Sequence, residues 1–450
     1  METTKYKYRS LARVIMEAAT PLSIGSGDKN IITDALILTD VNGLPYIPGT
    51  TLAGIIRHAL KKETGDRLFG YQKTNSNEGR GSEIIFSTAQ MVGEDLKIIE
   101  GIRPIDFNSE FYNHYKNLPI RQHVRINEKG TAQKRGKFDK QVIIKGTRFC
   151  FEIELLSDKA LEDDIEFLEI GEILKSNAFR IGGGSRSGLG EINIVEFKMA
   201  SIDLTNPDQL STYINKTSSL NDPFWETCPT TECCQLKSQQ WIEYKLILRP
   251  DDFFHFGSGF GNEVADMTPV KEPYIDWADG KPTVRKNNIL IPGSSVKGAL
   301  SHRVAFYYNL DNGLFADRTD TETKTGSDNP AVVSLFGSSN TDDPKRGNTL
   351  FSDLITTSTH KGKLLNHVSI DRFTGGAIEG ALFTEEVSYE KDQIFELKIL
   401  LEDKLEVKEY QPALERALKD ICTGMLPLGG GVNRGNGCFC GKLIKNGKEI

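Results

Sequence analysis

Two stretches of this chain are near copies of each other. Leu44 to Gly54 reads Leu-Pro-Tyr-Ile-Pro-Gly-Thr-Thr-Leu-Ala-Gly, and Asn288 to Gly298 reads Asn-Ile-Leu-Ile-Pro-Gly-Ser-Ser-Val-Lys-Gly. Each copy lies in a longer series of landmarks that recur in the same order. Gly25-Ser26-Gly27 returns as Gly257-Ser258-Gly259, Leu68-Phe69-Gly70 as Leu335-Phe336-Gly337, and His123-Val124-Arg125-Ile126-Asn127 as His367-Val368-Ser369-Ile370-Asp371. The series closes with the glycine-rich stretches Gly182 to Gly190 and Gly429 to Gly437. The separation between copies changes from landmark to landmark, so the halves differ by insertions between fixed points. Collinear matches this far apart mean tandem domains and not a solenoid, whose repeats are of order 20–50 residues. A site in one unit therefore implies a counterpart in the other.

The length of 450 residues suits that reading, because each half is large enough for its own core. Residues 1–200 form the first unit, 201–240 a turn-rich link containing Asn206-Pro207-Asp208 and Asn221-Asp222-Pro223, and 241–450 the second. Charged residues make up 26% and no apolar run approaches the roughly 20 residues of a membrane span, which points to a soluble protein without membrane contact. The N-terminal residues lack the pattern of a secretory signal, so a cytoplasmic location is expected. A net charge of −7 means that any polyanion must be held by a local basic surface on an acidic body.

Within each unit the pattern reads strand, glycine turn, strand, helix, insertion, strands, helix, glycine loop, strand. Ala12 to Ala18 and Glu243 to Arg249 alternate polar and apolar residues as half-buried strands do, and so do Cys150 to Leu155 and Ile394 to Ile399. Thr50 and Thr51, with Ser294 and Ser295, are residue types that cap helix N-termini, and Leu52, Ile55, Ile56, Ala59 and Leu60 follow at helical spacing. Later helices are expected at Ile165 to Leu174 and Leu414 to Ile421. The order βαββαβ predicts an α+β fold of two tandem ferredoxin-like (RRM-like) domains, with Tyr71 to Pro104 and Asp311 to Pro330 as insertions.

Several patterns carry chemistry. The glycine loops can bring backbone N–H groups close to an anion, with Gly183 and Gly430 inside them and Arg180, Arg186 and Arg434 beside them to neutralise phosphate. Neither loop has the Lys-[Ser/Thr] ending of a mononucleotide P-loop; a plain tight turn is the competing reading. Helix N-termini at Thr50/Thr51 and Ser294/Ser295 suit a phosphate, with Arg57, Lys297 and Arg303 on or near these helices. Asn127 to Lys140 is strongly basic, including Lys134 and Arg135, and its counterpart contains Arg372 and Phe373, a composition suited to RNA contact. His123 and His367 sit in apolar runs, which favours a supporting role over that of a general base. The seven cysteines show no paired zinc spacing: Cys228, Cys233 and Cys234 lack a second pair, and Cys438 and Cys440 flank one phenylalanine. Beyond each Gly-Ser-Gly turn lies an aspartate, Asp34 and Asp266, where a carboxylate can bind a divalent ion, position a hydroxyl or simply cap a turn. Asp40, ahead of Asn42-Gly43, reads as a hairpin residue.

The Gly-Ser-Gly turn, the Ile-Pro-Gly-[Ser/Thr]-[Ser/Thr] helix start, the Leu-Phe-Gly that follows and the late glycine loop together resemble the repeat-associated mysterious protein (RAMP) superfamily. Within it they look like the backbone subunits of type III CRISPR effector complexes, in a fused, III-D-like arrangement. That resemblance implies a guide RNA (crRNA) along the glycine loops, the turns Gly25-Ser26 and Gly257-Ser258, and the helices; thumb-like hairpins against the guide–target duplex; and neighbouring effector subunits as partners. It also implies cleavage of complementary target RNA at Asp34 and Asp266, with magnesium or manganese as the metal these two residues would bind. The rival readings are a non-catalytic guide scaffold and a guide-processing endoribonuclease using His123 or His367.

Overall fold

A computed structural model describes residues 6–29, 33–73, 77–127, 129–231, 240–315, 322–338, 343–358, 362–390 and 392–450. The first unit is built on β1 (Tyr8–Ala18), α1 (Gly49–Ala59), β2 (Ile84–Phe86), β3 (Ile120–Ile126), β4 (Ala132–Gln141), β5 (Arg148–Ser157), α2 (Ile165–Lys175) and β6 (Ile192–Asp203). Its main sheet runs β2–β5–β1–β6, wholly antiparallel, with Tyr8 opposite Ser157 on one side and Asp203 on the other. That is the strand arrangement of a ferredoxin-like fold, with the first strand central. Alternation in β1 puts Ala12, Val14 and Met16 on the dry face, under Leu52 and Ile56 of α1 and Phe167, Ile170 and Leu174 of α2.

The second unit repeats the plan. It comprises α3 (Pro207–Asn215) leading in, β7 (Trp241–Pro250), β8 (Lys271–Asp276), β9 (Thr283–Ile291), α4 (Gly293–Asp311), β10 (Thr349–Phe351), β11 (Lys363–His367), β12 (Phe383–Val387), β13 (Phe395–Glu402), α5 (Gln411–Cys422) and β14 (Phe439–Lys445). Its sheet order is β10–β13–β7–β14, extended at the β14 edge by Lys448–Glu449. Tyr244, Leu246 and Leu248 face Val296, Leu300 and Val304 of α4 and Leu414, Leu418 and Ile421 of α5. In each unit the strand that carries the histidine of the His-Val landmark pairs with the next strand in a separate hairpin, β3–β4 and β11–β12.

Two local expectations need correction. The span from Tyr71 to Pro104 is not only an insertion, because β2 and the short strand Gln90–Met91 inside it pair with β5 and complete the sheet. Their brevity hides the strand periodicity. The helices begin two residues earlier than hydroxyl N-caps at Thr50 and Ser294 would place them: Pro48 and Pro292 are the N-caps, without a side-chain cap bond, and their carbonyls accept the amides of Thr51 and Ser295. Thr50, Thr51, Ser294 and Ser295 are therefore inside the first turn. The turn-rich link after β6 is packed onto the first unit. Trp225 is buried, its indole donates to Glu152 at 2.5 Å, Lys216 pairs with the same carboxylate, and Tyr213 donates to Glu154, so this segment covers the outer face of the first sheet.

The β8–β9 hairpin of the second unit enters the core of the first. Ile275 and Trp277 belong to that core, Trp277 donates to the Gly146 carbonyl at 2.7 Å, and the Arg148 guanidinium lies over its ring at 4.0 Å. Burial of apolar surface across the junction makes the two units one body.

Candidate RNA-binding and cleavage site

The two units present the same geometry around their aspartates. Gly25 bridges Ile37 and Gly257 bridges Pro269, so each Gly-Ser-Gly turn closes a loop with an aspartate three residues before its end. Ser26 and Ser258 hold these turns from within, each hydroxyl accepting the amide two residues ahead. Ala35 then runs parallel to Lys140 and Met267 to Glu385. In this register the Asp34 carboxylate accepts the Asp139 amide at 3.0 Å, and the Asp266 carboxylate accepts the Thr384 amide at 2.8 Å. Both aspartates are exposed and equivalent, standing at the base of hairpins β3–β4 and β11–β12. Asp40 accepts the Asn42 and Leu44 amides, as a turn residue does.

The glycine loops pack against the segment leading into each turn. Gly183 donates to Ser23 and Gly430 to His255, both at 2.7 Å. Gly182 and Gly429 have φ of 85° and 94°, and a Cβ on either would stand 2.5 Å or less from the same two carbonyl oxygens. Close approach thus requires glycine here. Each loop therefore lies beside its aspartate loop, which sequence spacing does not reveal.

The cations identified in sequence divide sharply. Arg180 is not available to RNA: its guanidinium is buried, pairs with Glu191 at 3.3 Å and donates to the carbonyls of Asn177 and Phe179. Arg303 on α4 is committed to Asp420 on α5, and Arg57 pairs with Asp66 at 2.7 Å while remaining partly exposed. Arg434 pairs at 3.0 Å with Glu385, which is fully buried. By contrast, burial pushes the Arg186 guanidinium down to about 10, with Arg346 adding to the effect, and its Nη2 has no hydrogen-bond partner. Lys297 is likewise lowered by burial and by Arg186. Lys134 and Arg135 are exposed on β4, and in the counterpart loop Asp371 accepts the amides of Phe373 and Thr374, leaving the Phe373 ring 98% exposed beside Arg372.

The expected phosphate site at the α4 N-terminus is filled from within the protein, since the Gly293 amide donates to Asp353 at 2.7 Å. Among the described residues no group of three or more His, Cys, Asp or Glu side chains is placed to hold a metal ion. Cys228, Cys438 and Cys440 are free thiols; Cys233 and Cys234 lie outside the described residues.

His123 stacks on Phe138 and His367 on Phe383, with ring centroids 4.9 and 4.8 Å apart. Burial, then Lys140 and Arg121, lower His123 from its ordinary 6.5 to about 4. The unfolded chain therefore binds a proton near pH 6.5 that the folded chain refuses until about 4, so stability is full above 6.5 and falls as the pH drops toward 4. The loss is about 1–2 kcal/mol once solvent screening of the partly exposed ring is allowed for. Denaturant unfolding across that pH range checks this: His123→Gln is expected to flatten the slope relative to the parent chain.

Two linked ferredoxin-like domains, each with a glycine loop beside an aspartate loop and a protruding hairpin, define a tandem member of an RNA-binding class. A model of the RAMP superfamily matches residues 15–193 and 247–440, and the chain belongs to that superfamily, whose members serve as CRISPR-associated RNA-binding subunits. No helix among the described residues is long and apolar enough to cross a membrane. Among curated proteins, none matches the sequence.

Proposed function

We propose that the chain is a backbone subunit of a type III CRISPR effector complex that binds guide RNA and cleaves complementary target RNA once at each unit. The observation that carries this reading is the equivalence of Asp34 and Asp266: exposed carboxylates in the same register, on the same amide of the same hairpin strand. Each carboxylate has one oxygen engaged by that amide, which fixes its direction. The second oxygen orients the 2′-hydroxyl of a target nucleotide toward its own phosphorus. The 2′-oxygen attacks as its proton passes to that carboxylate oxygen, the bond from phosphorus to the 5′-oxygen of the next nucleotide breaks, and that oxygen leaves with a proton taken from water. A 2′,3′-cyclic phosphate and a 5′-hydroxyl result. A magnesium or manganese ion held by Asp34 or Asp266 would neutralise phosphate charge. The exposed β3–β4 hairpin and the Arg372–Phe373 loop would lie against the guide–target duplex.

The same amide contacts also favour a second reading, in which both aspartates merely clamp hairpins and the subunit is a scaffold. Guide processing by histidine has less support, because His123 is a weak base when its proton leaves near 4. Denaturing gels of the reconstituted complex with complementary RNA decide among these. Asp34→Ala and Asp266→Ala are each expected to remove one distinct cut while leaving the other cut and target binding intact. Unchanged cutting in both variants, or no cutting by the parent complex with added magnesium or manganese, would leave the scaffold reading standing.

A further inference from the structure

The two units differ in charge at one equivalent position. Opposite His123 stands Phe138 and opposite His367 stands Phe383, so the residues two further on, Lys140 and Glu385, correspond; both also run beside the aspartate loops, at Ala35 and Met267. Glu385 is fully buried. It lies 3.0 Å from Arg434 of the glycine loop, 3.2 Å from His367 and 3.9 Å from His255, and the Arg434 guanidinium rests over the Phe383 ring. The loop's cation is thus neutralised from inside the protein.

In the first unit the ammonium of Lys140 sits over the Phe138 ring and points at the glycine loop, 3.5 Å from where a Cβ on Gly184 would stand. It has no carboxylate within ion-pair distance among the described residues. Its charged neighbours are Arg121, which repels it, and Asp353, already bound to Arg121 and to the α4 N-terminus. Arg186 of the same loop has a buried Nη2 without a partner, with Lys297 and Arg346 of the second unit close enough to be felt and Glu402 opposing them. Desolvated cations without counter-charges are costly until an anion arrives.

We infer that the two glycine loops are unequal anion sites: the first, with Lys140, Arg186 and, across the junction, Lys297, takes an RNA phosphodiester, whereas Glu385 closes the second by occupying Arg434. This rests on the RNA-binding reading above and specifies where its phosphate affinity resides. Fluorescence anisotropy of the full chain with a single-stranded RNA oligonucleotide, over a series of salt concentrations, tests it. Lys140→Gln and Arg186→Gln are each expected to weaken binding and to reduce the salt dependence by about 0.7 log units per log salt, one phosphate's share on a single strand. Arg434→Gln is expected to change neither quantity, and Glu385→Gln, which releases Arg434, to steepen the salt dependence. Should Glu385→Gln fail to fold, as thermal melting would reveal, the comparison of Lys140→Gln with Arg434→Gln decides alone. An Arg434→Gln loss equal to that of Lys140→Gln, or an unchanged salt slope in Lys140→Gln, overturns the inequality while RNA binding stands. Absence of salt-dependent RNA binding by the parent chain overturns the RNA reading itself.

Discussion

Replacing Arg121 by methionine is expected to lower the stability of the chain by about 3–5 kcal/mol, the largest effect of any single side chain at the junction between the units. Arg121 lies on β3 of the first unit, and its buried guanidinium grips Glu272 of β8 through two nitrogens, one at 2.7 Å, while its remaining arm meets Asp353. Asp353 also accepts the Gly293 amide and thereby caps α4. Removing the arginine leaves two carboxylates in a site that water does not reach, and the cost is that of uncompensated buried charge. Thermal or denaturant unfolding of Arg121→Met measures it. The triple variant Arg121→Met, Glu272→Gln, Asp353→Asn should recover most of the loss, since no charge is then stranded. Equal destabilisation by the single and triple variants would show that the arginine acts by packing alone.

Gly188→Ala is expected to destabilise by about 3 kcal/mol through the same joint. Gly188 has φ of 113°, where L-residues are strained, and a Cβ there would stand 1.8 Å from the Asp353 carboxylate and 3.0 Å from the Gly293 nitrogen. The glycine is held by the Asp353 amide, which donates to its carbonyl at 2.9 Å. An added methyl must push Asp353 off both the α4 N-terminus and Arg121. Gly435→Ala in the other loop provides the control, because φ is again positive, at 93°, but no atom lies within 4 Å of the added Cβ. Unfolding curves should show the larger loss for Gly188→Ala; equal losses would assign the whole effect to backbone strain.

The second prediction concerns a loop that reads in sequence as a phosphate cradle, and the structure adds a second duty to it. Gly188 docks the first unit on the second, while Arg186, two residues earlier, keeps a guanidinium nitrogen without a partner. By hydrogen-bond pattern Arg434 corresponds to Ser187, since their amides donate to Gly431 and Gly184, so Arg186 and Arg434 are not counterparts.

What the sequence alone determined is the duplication, the ferredoxin-like order of elements, and the pairing of Asp34 with Asp266. These follow from requirements local to the chain: an apolar alternation for a strand, a proline before a helix, a glycine where the backbone passes within contact of a carbonyl. Such requirements recur in both copies because both backbones follow one path. Only the tertiary structure decided which cations are spent internally, that β2 completes the first sheet from within an apparent insertion, and that a hairpin of the second unit fills the core of the first. Arg180, Arg121 and Arg434 look alike in a sequence, but their carboxylate partners come from other strands, and for Arg121 from the other unit. Charge pairing is settled by distance in space, and a buried ion pair forms wherever folding brings opposite charges together out of water. For that reason the repeated chain yields one backbone plan twice but two different electrostatic sites.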